Sequence, residues 1–192
     1  MADSPTLLWD YATALLDAAK HGMENAGFAP PARSMVAAGV NRVWDDCCPG
    51  QLTVRMSRLF LTDNFPIELQ APKPAACGGP EPAADFEVEV VACDPGNDKQ
   101  GRPPPPHVVS AHAQETLLRA YAVFRGLLCW AANLAATPFD GPAIVRAMEP
   151  IGPEGGCVGY FARVTVPLPI ICACEPLEEI GEGVLLPGVI LG

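Results

Sequence analysis

The chain has 192 residues, nearly half of them apolar, which is enough for one sizeable domain with a packed core. Its 12 basic residues against 22 acidic ones give a formal charge of −10. That removes the phosphate-neutralising footprint of a high-affinity nucleic-acid binder, while remaining compatible with a passage through which DNA slides. The 22 prolines and 18 glycines, far above the roughly 12% of ordinary usage, exclude a compact bundle and point to ordered pieces joined by stiff, irregular connections.

The first element is a helix. Ser4 is its N-cap and Pro5 its first helical residue, and Leu8, Tyr11, Leu15 and Ala19 recur at helical spacing with Leu16 beside them. The signal fades by Gly22 and stops in NAGFAPPA, at Gly27, Pro30 and Pro31. Residues 51–60 alternate as a half-buried strand. Leu52, Val54, Met56 and Phe60 share one face, and Gln51, Thr53, Arg55 and Ser57 share the other, with Arg58 interrupting the apolar side.

Residues 61–84, which include APKPAACGGPEPAA, are expected to form a long exposed Pro-rich loop. DFEVEVVAC (85–93) then forms a second strand, antiparallel to the first, with Phe86, Val88 and Val90 on one side and Glu87 and Glu89 on the other. Residues 94–107 are a turn followed by a polyproline II linker.

After Ser110 comes the strongest helix. Its expected buried stripe is Leu117, Tyr121, Phe124, Leu128 and Ala131, widened by Leu118, Leu127 and Leu134, and Thr137 and Pro138 close it. GPEGGCVG makes a Gly-rich turn into a last strand. There Tyr160, Ala162, Val164 and Val166 alternate with Phe161, Arg163 and Thr165 before Pro167 and Pro169. Both faces of this strand carry apolar residues, so it is expected to lie centrally.

The order helix, strand, strand, helix, strand predicts an α+β fold. Two main helices pack on one face of a small, mostly antiparallel sheet. Residues 1–174 make the single domain, and residues 175–192, acidic and then apolar through Leu185, Leu186, Val189, Ile190 and Leu191, make an extended C-terminal arm.

Signatures of chemistry are sparse. The eight cysteines (Cys47, Cys48, Cys77, Cys93, Cys129, Cys157, Cys172 and Cys174) contain no CxxC pair, so they do not read as a zinc site. Residues 1–22 lack the features of a signal peptide, and no run approaches the roughly 20 apolar residues of a membrane span. The reading is a soluble protein without a membrane partner, made in a reducing cytoplasm, with its cysteines as free thiols. A bridge between Cys48 and Cys77 is conceivable, but Cys47 and Cys48 read most simply as packing residues at a strand entrance.

His112 and Glu115 share a helix face as half of a metal site, yet His21 and His107 complete no coordination sphere. Ser4, Ser34, Ser57 and Ser110 lack a nucleophile-elbow setting. Asp45–Asp46 and Glu178–Glu179 are adjacent pairs of the kind that usually diverge. DPGND lacks the alternating ligands of a calcium loop, and GPEGGCVG has no following Lys–Ser/Thr. No catalytic, cofactor-binding or metal-binding residue is assigned, and no enzyme activity or cofactor is expected.

Taken together, the N-terminal helix, CCPGQLTVRMSRLFLTDNFP, CGGPEPAADFEVEVVACDP, the Pro-rich link and GPEGGCVGYFARVTV resemble the tail terminator proteins of long-tailed (siphovirus) phages of actinobacteria. The resemblance covers most of residues 5–166. It implies a virion structural protein of the neck, assembled in the host cytoplasm as a ring, typically a homohexamer, that caps the head-proximal end of the tail tube and ends its polymerisation. Its partners would be further copies of itself, the major tail tube protein and the head–tail stopper or connector, with DNA passing through the lumen without specific binding. A stopper or adaptor of the neck is the alternative.

Overall fold

Alternation of apolar and polar residues builds a five-stranded sheet, and two helices cover one side of it. A computed structural model describes residues 6–39, 47–48, 50–70, 79–97, 100–134 and 141–169. Its elements are α1 (Leu7–Asn25), β1 (Arg33–Ala37), β2 (Gln51–Thr62), β3 (Glu81–Cys93), α2 (Pro106–Ala132), β4 (Ile144–Glu154) and β5 (Cys157–Pro167). The sheet order is β1-β2-β3-β5-β4, with β1 parallel to β2 and every other pairing antiparallel. The α+β class, the mostly antiparallel sheet and the β2–β3 pairing follow the sequence, as does the central place of β5. The Pro-rich stretch at 71–78, the Ser4–Pro5 cap, Thr137–Pro138 and the arm at 175–192 lie outside the described residues.

The core lies between the helices and one sheet face. Tyr11, Leu15, Leu16, Ala19 and Met23 of α1 meet Leu52 and Val54 of β2, Phe86, Val88 and Val90 of β3, and Ala162, Val164 and Val166 of β5. The α1 stripe is the predicted one, and the helix ends as expected at the start of NAGFAPPA, at Asn25, with Gly22 and Met23 still buried.

Four expectations need correction. First, β1 and β4 are additional strands. Five residues of intermediate burial in β1, and β4 with Pro150, Pro153 and two register breaks, give no clean two-residue period.

Second, β2 carries a bulge at Ser57, where Met56 opposes Phe86 and Arg58 already opposes Asp85. Beyond it the parity flips. Arg58 and Phe60 therefore stand together on the face away from the helices, with the guanidinium 4.7 Å from the ring centroid, and Phe60 does not join Leu52 and Val54.

Third, β2 runs to Thr62, β3 begins at Glu81, and α2 begins at Pro106, so the 61–84 loop and the 94–107 linker are both shorter than expected. The Gly-rich turn is likewise tight, with Gly155 and Gly156 both at positive φ between β4 and β5.

Fourth, α2 is rotated from its predicted stripe. Thr116, Ala120, Ala122, Val123, Gly126 and Leu127 face inward, whereas Leu117, Tyr121 and Leu128 are exposed.

Candidate functional site

The sheet face away from the helices carries charge that is held out of water. Alternation along β3 puts Asp85, Glu87 and Glu89 on this face, and the strand register sets Arg55 of β2 and Arg163 of β5 opposite Glu87. Arg55 is paired with Glu87 through Nη2, and its Nε donates to Glu89 Oε1 at 3.2 Å. Arg163 Nη2 donates to the other oxygen of Glu87 at 2.9 Å. The Asp85 side chain, fully buried, accepts from Arg58 Nε at 2.6 Å and from Thr165 Oγ1 at 2.6 Å. Arg58 also pairs with Glu68.

The hydrogen bond to Asp85, together with the charges of Asp85 and Glu68, holds the Arg58 guanidinium pKa above its ordinary value, against a smaller opposing effect of burial. These three β3 carboxylates each have an arginine partner, which satisfies the requirement that buried charge be paired. Such a ladder fixes strand register.

The cysteines depart from expectation. Cys47 is bridged to Cys157 and Cys48 to Cys93, so these four are cystines and not free thiols, and Cys48 does not pair with Cys77. Cys93 and Cys157 are direct register partners on β3 and β5. Two adjacent residues therefore clamp the approach to β2 onto a cross-strand pair. Cys47, Cys157, Val91 and Ile151 form a small second apolar cluster, with Phe161 packed against it. Connectivity is not encoded in spacing, so the sequence could not supply these bridges. Cys129, on α2, is free and exposed, while Cys77, Cys172 and Cys174 lie outside the described residues.

His112 and Glu115 do come together, in a cleft of about 200 Å³ beside the Cys48–Cys93 bridge that also holds Thr116 and Arg119. Glu115 is occupied there by Arg119 Nη2 at 2.6 Å, which makes the pair a helical i,i+4 ion pair in place of half a metal site. Among the described residues no group of three or more His, Cys, Asp and Glu side chains is placed to hold a metal ion. No helix among them is long and apolar enough to cross a membrane.

The remaining surface of note is helical. Because α2 turns small residues toward α1, its large ones point outward: Leu117, Tyr121 and Leu128 are 53%, 59% and 44% exposed, and Trp9 of α1 is 60% exposed. Between the helices runs a groove of about 740 Å³ lined by Ala18, Gly22, Phe28, Leu118, Tyr121 and Trp130, among others. Among the described residues the sheet has two unpaired edges, and they differ from the helical ridge in quality. β1 offers only five residues, and β4 is interrupted by prolines and bulges, devices that blunt edge-to-edge pairing. No protein-family model matches the chain, and no curated protein matches it.

Proposed function

We propose that the chain is a structural protein of a long-tailed phage virion, which closes a ring on the head-proximal end of the tail tube, ends tube growth and forms part of the head–tail interface. The observation that carries this reading is the outward ridge of α2. A 27-residue helix with Leu117 and Leu128 in water, outside the groove, is suited to a protein neighbour. In a ring each copy meets two others, and an apolar ridge beside blunted sheet edges suits a helix-mediated contact better than strand addition.

The acidic balance of the chain suits a lumen that DNA traverses, since repulsion keeps a polyanion from sticking. Ring subunits, six by the family resemblance, would meet the last ring of tail tube protein on one side and the stopper or connector on the other. The mechanism is steric: the face turned to the head does not resemble a tube ring, so no further ring adds. The cystines fit a particle that is assembled in a reducing host cytoplasm and then persists outside it, the bridges closing on release.

The test is tail length, measured by electron microscopy on particles assembled with and without the protein. Overlong, irregular tubes in its absence are expected. Tails of normal length that fail to join heads would instead assign it as a stopper or adaptor of the neck, and intact infectious particles would overturn the reading.

A further inference from the structure

We propose that the apolar segment 183–191, GVLLPGVIL, docks in the groove between α1 and α2 of its own subunit. This assignment stands independently of the tail-ring reading.

The groove lies open among the described residues, and its walls, Phe28, Leu118, Tyr121 and Trp130, are predominantly apolar. Its ionisable lining is confined to Asp17, His21 and Arg125, with the free thiol of Cys129. The end of β5 is linked to the groove wall through one buried side chain, Tyr11. The Tyr11 hydroxyl donates to the carbonyl of Pro167, the last residue of β5, at 3.3 Å. The Tyr11 ring meets Trp130 edge-on with centroids 6.4 Å apart, and Trp130 is part of the groove wall.

Length and charge also agree. Along α2 the groove runs from Leu118 to Asn133, about 22 Å at the helical rise. Nine residues, if extended at the polyproline II rise, would span about 28 Å, enough to fill it. The 14 Cα–Cα steps from Pro169 to Gly183 reach up to about 50 Å, so the connection is not strained. Segment 183–191 has no charged side chain, while Glu175, Glu178, Glu179 and Glu182 precede it in the connecting stretch, where they can stay in water. A tether of this length holds the segment at an effective concentration in the millimolar range at its own groove, which favours the same subunit over a second copy.

The experiment reads Cys129, whose thiol lines the groove. Full-length protein and the full-length variant Leu186→Asp/Ile190→Asp are alkylated under native conditions with N-ethylmaleimide, and the Cys129 peptide is quantified by mass spectrometry apart from the other cysteines. Docking predicts labelling about tenfold faster in the variant, the factor that about 1.4 kcal/mol of docking free energy produces. The wild-type rate should also be unchanged on hundredfold dilution. Equal rates in the two proteins would overturn the proposal. Protection that disappears on dilution would overturn it as well, by making a second copy the occupant.

Discussion

Gly22 of α1 and Gly126 of α2 meet backbone to backbone. A Cβ at Gly22 would run into the carbonyl oxygen of Ala122, and one at Gly126 into that of Ala18. Because both obstacles are main chain, neither can swing aside, and the helices would have to separate. Two effects oppose each other in Gly126→Ala. Intrinsic helix propensity favours alanine by about 1 kcal/mol, whereas overpacking at a rigid contact costs about 1–3 kcal/mol. The backbone contact is expected to win, so that Gly126→Ala lowers the urea unfolding midpoint and Gly126→Val lowers it further. A midpoint that rises in Gly126→Ala would mean that the helices part without cost.

The same contact explains why α2 is rotated from the stripe read in the sequence. Hydrophobic periodicity ranks Leu117, Tyr121 and Leu128 above Ala120, Ala122 and Gly126, but close approach of two helices selects for small residues. On α1 no such conflict exists at Tyr11, Leu15 and Ala19, and there the reading holds. In β2 the alternation is legible as far as Met56. The bulge at Ser57 then changes parity without any local sequence mark beyond the misplaced Arg58. The placement of Glu87 and Glu89 away from the core was legible too, but that they are buried against Arg55 depends on register between strands far apart in sequence.

Arg55 neutralises Glu87 and Glu89, whose side chains are 7% and 2% exposed. Removing it takes the arginine from the buried carboxylate of Glu89, while Glu87 retains Arg163. Arg55→Met is expected to cost about 3–5 kcal/mol, the usual penalty for breaking a buried pair by deleting one partner. Adding Glu89→Gln should recover a large part of that loss, because the buried carboxylate that lost its arginine no longer carries charge. Chemical denaturation of the wild type, both single variants and the double variant closes the cycle. Additive losses would show that the two side chains are not coupled.

Thr165 tests the other end of the ladder. Its hydroxyl donates to Asp85 Oδ1 at 2.6 Å inside the sheet, and Arg58 holds the other carboxylate oxygen. Thr165→Val keeps the volume and removes the donor, so it is expected to cost about 1–3 kcal/mol, the penalty for leaving one buried acceptor unsatisfied. Thr165→Ser, which retains the hydroxyl, should lose less. Thermal melts of the two variants distinguish the roles: a larger loss in Thr165→Ser than in Thr165→Val would assign the residue to packing through its methyl group.

The cystines make a covalent prediction. A non-reducing digest should yield one linked cluster in which the peptide carrying Cys47 and Cys48 is joined to those carrying Cys93 and Cys157. The Cys47–Cys157 bridge spans 110 positions, and closing a loop of that size restricts the unfolded chain by about 4.7 kcal/mol in the chain-entropy account. Reductant should therefore lower the unfolding midpoint strongly, and Cys47→Ser/Cys157→Ser should reproduce most of the drop. A midpoint indifferent to reductant would show that the clamp contributes nothing to stability.

The α2 ridge separates folding from assembly. Leu117 and Leu128 face water in the isolated subunit, so replacing both with Asp removes little buried area and is expected to shift stability by no more than about 0.5 kcal/mol, the usual range for surface positions. If the ridge is where copies meet, the same double variant places two charges in an apolar contact, and burying an unpaired charge there is prohibitive. On the proposed ring, sedimentation should then show monomers for the variant and rings for the wild type, with the variant monomer still melting cooperatively. In particles the expected consequence is the overlong tail of a missing terminator. A variant that still assembles, with wild-type melting, would move the subunit contact to the sheet edges, where the register of β1 and β4 would have to carry it.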